Sequence, residues 1–423
     1  MSNSVKSNNN HSISNYAFVM MAVFFAGFFL ISDLSLNVPV MVVFLTLFEI
    51  GVLILSRRFK VTLNSAHIPY YLFALMIIIN LRPNGYIEEQ PFYLFSMLMF
   101  LFIMPLCKPG DVDRNRVISI ALVTSVIVAV LVYLSMFLPD IFSSIYLNLV
   151  SRSSREYNQW IMRQGYSGTV GADIGKTAAY ITLGLSFTFS RFLYYKDKKN
   201  LLITMFLLLA LALVGRRSEL LAFILASLLI LYESSSRGKK QRLILIFMAL
   251  LIVIIALYFL IASNVITYSG KNRIINSLFL LIHGEDISNG RLRLYAAAIE
   301  SFREHPIFGI GWGGARSITR KILSNDVNVH NIYLQLLCEV GIVGTIFGLI
   351  MVLVILNRRR TIFKKYLGTN KSVYTTSALL VSIHITILGL LDNPIYHDDF
   401  WLLVSIIFFM TNNLEEPKKV CKI

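Results

Sequence analysis

The sequence predicts an all-α fold: a polytopic helical integral membrane protein of about twelve transmembrane helices, with a large outer loop that contains an amphipathic helix. Three observations predict it. Of 423 residues, 56% are hydrophobic and 15% are charged, whereas a soluble domain carries about 25% charged residues. Apolar runs recur along the chain, and a run of about 20 residues crosses ~30 Å of hydrocarbon as a helix. Lys and Arg gather in short connections between the runs, as orientation in a membrane demands. The net charge of +16 is therefore an orientation signal and not a nucleic-acid face. Cys107, Cys338 and Cys421 lie at unrelated positions and give neither a disulfide framework nor a zinc spacing.

In chain order, residues 1–14 are rich in Asn and Ser and read as a disordered cytoplasmic segment. No cleavage site of small residues follows the first apolar run, so that run reads as an anchor. Runs follow at 16–32, 38–55, 66–81, 91–106, 117–138, 173–192, 201–214, 218–232, 243–263, 333–356, 373–391 and 400–412. The pair 201–214 and 218–232 is separated by Gly215, Arg216 and Arg217 alone, and charge bias keeps it as two spans. With twelve spans, 24 of the 39 Lys and Arg fall on the cytoplasmic side. Dropping one span would put NRRRTIFKK (357–365) outside. The organisation is thus 15–263 for helices 1–9, including a first outer loop at 139–172. The large outer loop takes 264–332, helices 10–12 take 333–412, and 413–423 forms a cytoplasmic tail.

The large loop is the least greasy stretch. Leu292, Tyr295, Ala296, Ile299 and Phe302 recur at three and four, which predicts a surface helix ended by His305-Pro306 and a glycine-rich turn. No internal repeat of the kind common in transporters is visible.

Several residues stand out chemically. Arg216 and Arg217 sit where two spans meet: one reading is an anchor snorkelling to headgroups, the other a ligand for a lipid diphosphate, with Arg217 favoured. Arg291, Arg293 and Arg303 flank the surface helix, and Arg291 opens it, where the helix dipole also favours an anion. His330 begins a span and is the natural general base at neutral pH. Asn331 beside it is suited to a sugar hydroxyl. Arg152, Arg155 and Arg163 make the first loop basic. Glu49 and His384 fall inside apolar runs and read as polar contacts of the bundle interior. Asp111-Val112-Asp113 resembles a metal-binding Asp-x-Asp, but its loop is too short for a nucleotide-sugar domain. Asp398-Asp399 beside His397 is the other acidic group of note. No convincing metal spacing emerges.

The segments GRLRLYAAAIESFREHPIFGIGWGG (290–314) and HNIYLQLLCEVGIVG (330–344) resemble the O-antigen ligase and O-antigen polymerase superfamily. The likeness lies in Arg291 to Tyr295, the turn Pro306 to Gly311, and His330-Asn331 through Glu339 and Gly341 to Gly344. Upstream, GRRSELLAF resembles that family's Ser-Arg-Gly-x-Leu turn. Arg217 takes the arginine position, with Arg216 in place of Ser and Ser218 in place of Gly, and Tyr295 stands where Trp is common. The resemblance implies metal-independent, inverting glycosyl transfer at the outer face of a bacterial inner membrane, both termini being cytoplasmic. It implies an undecaprenyl-diphosphate-linked oligosaccharide as donor, no cofactor, and catalytic roles for His330, Arg217 and Arg291. Arg216, Arg163, Arg293, Arg303 and Asn331 would bind substrate. A partner that sets chain length is a family expectation. Two arginine-bearing outer loops, and Gly314 eleven residues after Arg303, favour a polymerase. A ligase, or a transporter of lipid-linked sugars, are the alternatives.

Overall fold

A computed structural model describes residues 68–81, 111–150, 152–163, 167–170, 173–235, 290–323, 328–393 and single positions between 395 and 414. The expected disordered stretch 1–14, the spans at 16–32, 38–55, 91–106 and 243–263, and part of 400–412 lie outside the described residues. So do Glu49, His397, Asp398, Asp399, Cys107 and Cys421. Every element among the described residues is helical. Three described helices are long and apolar enough to cross a membrane: Arg114–Phe137, Ile332–Tyr366 and Ser372–Leu391.

The helices that position the site are α1 (Ile68–Ile79), α2 (Asp111–Phe137), α3 (Arg152–Arg163), α4 (Ile174–Tyr195), α5 (Lys198–Val214), α6 (Arg217–Ser234), α7 (Arg291–Glu304), α8 (Ala315–Leu323), α9 (Ile332–Tyr366) and α10 (Ser372–Leu391). Helix α4 packs on α2, α5 and α10, while α10 also packs on α6 and α9. One apolar core runs through these helices. Small groups let them approach closely: Ser125 Oγ donates to Tyr180 O at 2.6 Å, and a Cβ on Gly184 would sit 2.3 Å from that of Ser125.

Local chemistry sets the boundaries. Asp173, Asp197 and Asn331 each accept a hydrogen bond from the first turn of the helix they cap. Gly215 ends α5 in the left-handed region at φ 74°, and Arg216 is extended at φ −82°, ψ 92°. Residues 198–234 therefore form two helices and not one kinked rod, as the charge argument requires. Arg216, Asp173, Gly290, Asn331 and Asp392 all lie at helix ends, and the contacts below gather them at one end of the bundle. At the other end Glu233 pairs with Arg360 at 2.6 Å and with Lys364 at 3.5 Å.

Helix α9 is broken. Gly341 has φ 65°, ψ −168° inside it, a conformation open to glycine and strained for any other residue. A break frees carbonyls before it and N–H groups after it, which are costly to leave unmade in an apolar bundle. The turn after Pro306 supplies the missing partners. Ile310 N donates to Cys338 O and Gly311 N to Glu339 O, both at 2.9 Å; Ile342 N donates to Pro306 O and Val343 N to Ile307 O, at 2.9 and 3.4 Å. The approach is so close that a Cβ on Gly341 would lie 2.2 Å from Ile307 O, and one on Gly309 2.4 Å from Glu339 C.

The surface helix forms, as α7, and ends at His305. Its buried face differs from the apolar stripe in the sequence. Leu294, Ala298 and Ser301 are buried, whereas Leu292 and Ile299 are exposed. Small residues face the protein because α7 lies close against α9, with Cys338 Sγ 3.4 Å from Ser301 Oγ. The bulky apolar side chains are left to face away.

Candidate active site

Asp392 organises the site. It is the residue that ends α10, and its two carboxylate oxygens have different partners. Oδ1 lies 2.9 Å from His330 Nδ1 and accepts from Asn393 N at 2.8 Å. Oδ2 accepts from Arg216 Nη2 at 2.8 Å. Its side chain is 9% exposed, against 33% for His330. Burial alone would raise the Asp392 carboxyl. The hydrogen bond from His330 and the Arg216 charge outweigh it and hold the group well below the usual carboxylate range.

His330 is held from several sides. Its backbone lies in the left-handed region at φ 58°, uncommon for a side-chain-bearing residue and costing about 1–3 kcal/mol. The surroundings enforce it. Tyr295 Oη donates to His330 O at 3.1 Å, and Val329 N donates to Gln335 Oε1 at 3.0 Å. Asn331 caps α9 through Oδ1 and donates through Nδ2 to Leu390 O at 3.1 Å. In the neutral tautomer that donates Nδ1–H to the carboxylate, Nε2 carries the lone pair, the arrangement a general base needs.

Arg216 is seated rather than reaching. A Cβ on Gly175 would fall 1.6 Å from its Nη1, so the guanidinium occupies the space that this glycine leaves at the head of α4. Burial opposes its charge, but Asp392, then Glu219 and Asp173, outweigh that and raise its pKa further. Arg291 opens α7 and donates to Leu391 O at 2.6 Å, next to Asp392. Burial raises the Tyr295 phenol, against the lowering effect of Arg291, so it serves as a neutral donor.

Beneath His330 a second polar set locks the elements together. Gln335 Oε1 accepts from Asn393 Nδ2 as well as from Val329 N. Gln335 Nε2 donates to Glu339 Oε1 at 3.0 Å, and the same Glu339 oxygen accepts from Ala315 N, the first residue of α8, at 3.2 Å. Trp312 N donates to Asn80 O at 3.0 Å and ties the turn to the end of α1.

Of the residues singled out in the sequence, His330, Arg216, Arg291 and Asn331 come together around the α10 terminus. Arg217 is half-buried as the first residue of α6 and has interactions of its own. Arg293 and Arg303 are exposed along α7, and Arg163 is exposed at the end of α3. His384 is a polar contact of the interior, 2.8 Å from Glu219. Asp111 and Asp113 lie in the first turn of α2. Among the described residues no three His, Cys, Asp or Glu side chains are grouped to hold a metal ion. Asp392, Glu219 and Gln335 were not singled out. The one signal for Asp392 was an acid directly closing an apolar run.

Residues 201–349 match the family model described as O-Antigen ligase. The matched stretch contains Arg216, Arg217, Glu219, Arg291, His330 and both glycines of the α9 crossing; Asp392 lies beyond it. No curated protein matches the chain.

Proposed function

We propose that this chain, which through residues 201–349 belongs to the O-antigen ligase and polymerase superfamily, is a polysaccharide polymerase. Members of that family are glycosyltransferase-like membrane enzymes acting on lipid-linked glycans. In this reading the enzyme joins oligosaccharide repeat units carried on undecaprenyl diphosphate, at the outer face of the bacterial inner membrane. The observation that carries it is the His330–Asp392–Arg216 chain with Arg291 beside it.

His330 Nε2 takes the proton of the attacking sugar hydroxyl, while Asp392 fixes the ring and stabilises the imidazolium that results. The hydroxyl oxygen bonds to the anomeric carbon from one side as the glycosyl–phosphate bond breaks on the other, inverting the centre. The diphosphate leaves with the bonding pair. Its growing charge falls to Arg291, at the open N-terminus of α7, and to Arg217; a preorganised charge donor of this kind is worth about 3–4 kcal/mol. Arg216, held by Asp392, keeps the acid in place. Exposed Arg293, Arg303 and Arg163 serve the polar parts of donor and acceptor. The pairing of Glu233 with Arg360 and Lys364 at the far end of the bundle suits the cytoplasmic side of a bundle of about twelve spans.

A polymerase takes a lipid-linked glycan as acceptor; the two arginine-bearing loops favour it. The description of the matched family, O-Antigen ligase, favours instead transfer of a finished chain to a lipid A core sugar. The glycans of cells lacking this protein separate the two, read with wild type or His330→Ala added back. Single units that accumulate, or reach the core unextended, mark a polymerase. Long chains left on the lipid carrier mark a ligase. Single units trapped on the inner leaflet would overturn both in favour of transport.

A further inference from the structure

One amide beneath the site is bonded to both sides of the pair above it. Gln335, on the first arm of α9, is 1% exposed. Its Oε1 accepts from Val329 N at 3.0 Å and from Asn393 Nδ2. Val329 directly precedes His330, and Asn393 directly follows Asp392. A single oxygen therefore holds the chain that enters His330 and the chain that leaves Asp392.

The amide has one orientation. The Val329 N–H is a backbone donor and demands an oxygen, while Nε2 donates to Glu339 Oε1 at 3.0 Å. Glu339 is 0% exposed, and the same Glu339 oxygen accepts from Ala315 N at the head of α8, at 3.2 Å. Turning the amide round would set donor against donor away from water. Asn393 carries this order across to Asp392. Its backbone N donates to Asp392 Oδ1 at 2.8 Å, and Oδ1 is the oxygen 2.9 Å from His330 Nδ1. Asp392 is extended, at φ −154° and ψ 176°, so helical geometry alone does not aim its carboxylate.

We propose that Gln335 is a positioning residue for the transfer: through one oxygen it ties Val329 to Asn393 and so sets the separation of His330 from Asp392. Glu339 keeps that oxygen turned toward both donors. This rests on the reading of His330 as the base. Gln335 acts through its neighbours. Without it Asn393 can turn, the N–H that holds Oδ1 moves, and the contact with Nδ1 lengthens. A misplacement of ~1 Å in a site of this kind costs about 10²-fold in rate. Arg216 still holds Oδ2 at 2.8 Å, so the carboxylate stays in the site. The loss therefore falls on kcat and not on KM.

The test is Gln335→Met, which keeps the length of the side chain and removes the amide, made alone and together with Asp392→Asn. The full-length protein in proteoliposomes is given lipid-linked glycan extracted from its expressing cells, and kcat and KM are read for each variant. The expected result is a kcat down roughly 10- to 100-fold, with KM within about twofold of wild type. In the Asp392→Asn protein, where the pair has already lost its charge, the same substitution should cost under about threefold, since two changes that act through one contact do not add. A kcat equal to wild type, a loss confined to KM, or an equal fold loss in both backgrounds would reduce Gln335 to a packing residue and overturn the proposal. Should Gln335→Met fail to fold, Asn393→Ala carries the test, since it removes one arm and leaves Gln335 bonded to Val329 and Glu339. The same non-additive loss of kcat supports the proposal, and additivity with Asp392→Asn overturns it. His330→Ala at the wild-type rate removes the base and this proposal with it. An inactive His330→Ala beside additive losses removes this proposal alone.

Discussion

Nδ1 of His330 and Oδ1 of Asp392 lie 2.9 Å apart although 62 residues separate them in the chain. The first opens one membrane-crossing helix and the second closes the next, so antiparallel packing of α9 on α10 is what makes the pair. Asp392→Asn keeps the shape and removes the charge. The expected loss of transfer is between ~10²- and ~10⁴-fold, the range of a general base deprived of its orientation, with normal insertion. Glycan transfer by the purified protein, beside its yield in membranes, checks it.

The same contacts fix a pH dependence. Asp392 is held below the ordinary carboxylate range, so its contribution to stability is fully present above the unfolded value of ~3.9 and is lost as pH falls toward the folded value. Between about pH 5 and about pH 8 this group leaves the melting temperature flat. Melting in detergent from neutral pH down to about pH 3 should show wild type losing its advantage over Asp392→Asn at the acid end only.

Gly175→Ala separates position from fold. The substitution suits a helix, yet the new methyl falls 1.6 Å from Arg216 Nη1. A guanidinium at the end of a flexible side chain can move, so the protein folds and Arg216 leaves Asp392. Transfer is expected to drop about 10- to 100-fold, in the range seen when positioning groups are misplaced, with melting within a few degrees of wild type. A rate equal to wild type would detach Arg216 from the reaction.

Gly341→Ala should do the reverse. It places a side chain at φ 65° and 2.2 Å from a backbone carbonyl, and backbone cannot retreat as a side chain can. The expected cost is about 3 kcal/mol or more, read as poor yield and new proteolysis near 305–311. Gly368→Ala is the control. Its φ is 82° but nothing among the described residues lies within 4 Å, so only backbone strain of about 1 kcal/mol is expected.

The exposed arginines are a third class. Arg293→Ala, Arg303→Ala and Arg163→Ala remove exposed charges and, on the proposed reading, should raise KM several-fold at constant kcat, more at low salt than at high salt. A fall in kcat at unchanged KM would move that residue to the reacting centre.

Much of this was legible in the sequence because hydropathy and charge are local quantities. The split between α5 and α6 follows from Gly215 and two arginines, and the helix at 291–304 from its spacing. His330 and Arg291 stood out as polar residues opening helices. What did not show is what depends on the fold. Which of Arg216 and Arg217 meets the acid is decided by the extended backbone at Arg216 and by the gap at Gly175, on another helix. Asp392 reads as one more loop acid until α10 brings it to His330. The outward turn of Leu292 and Ile299 depends on how closely α7 can lie on α9, which small residues elsewhere determine.

The crossing at Gly341 bears on how substrate arrives. Four main-chain bonds weld the turn 306–311 to α9 around Gly341, so this turn cannot lift away without breaking the backbone pairing of the helix. On the proposed reading, substrate therefore reaches His330 past a fixed turn and not by the opening of that turn.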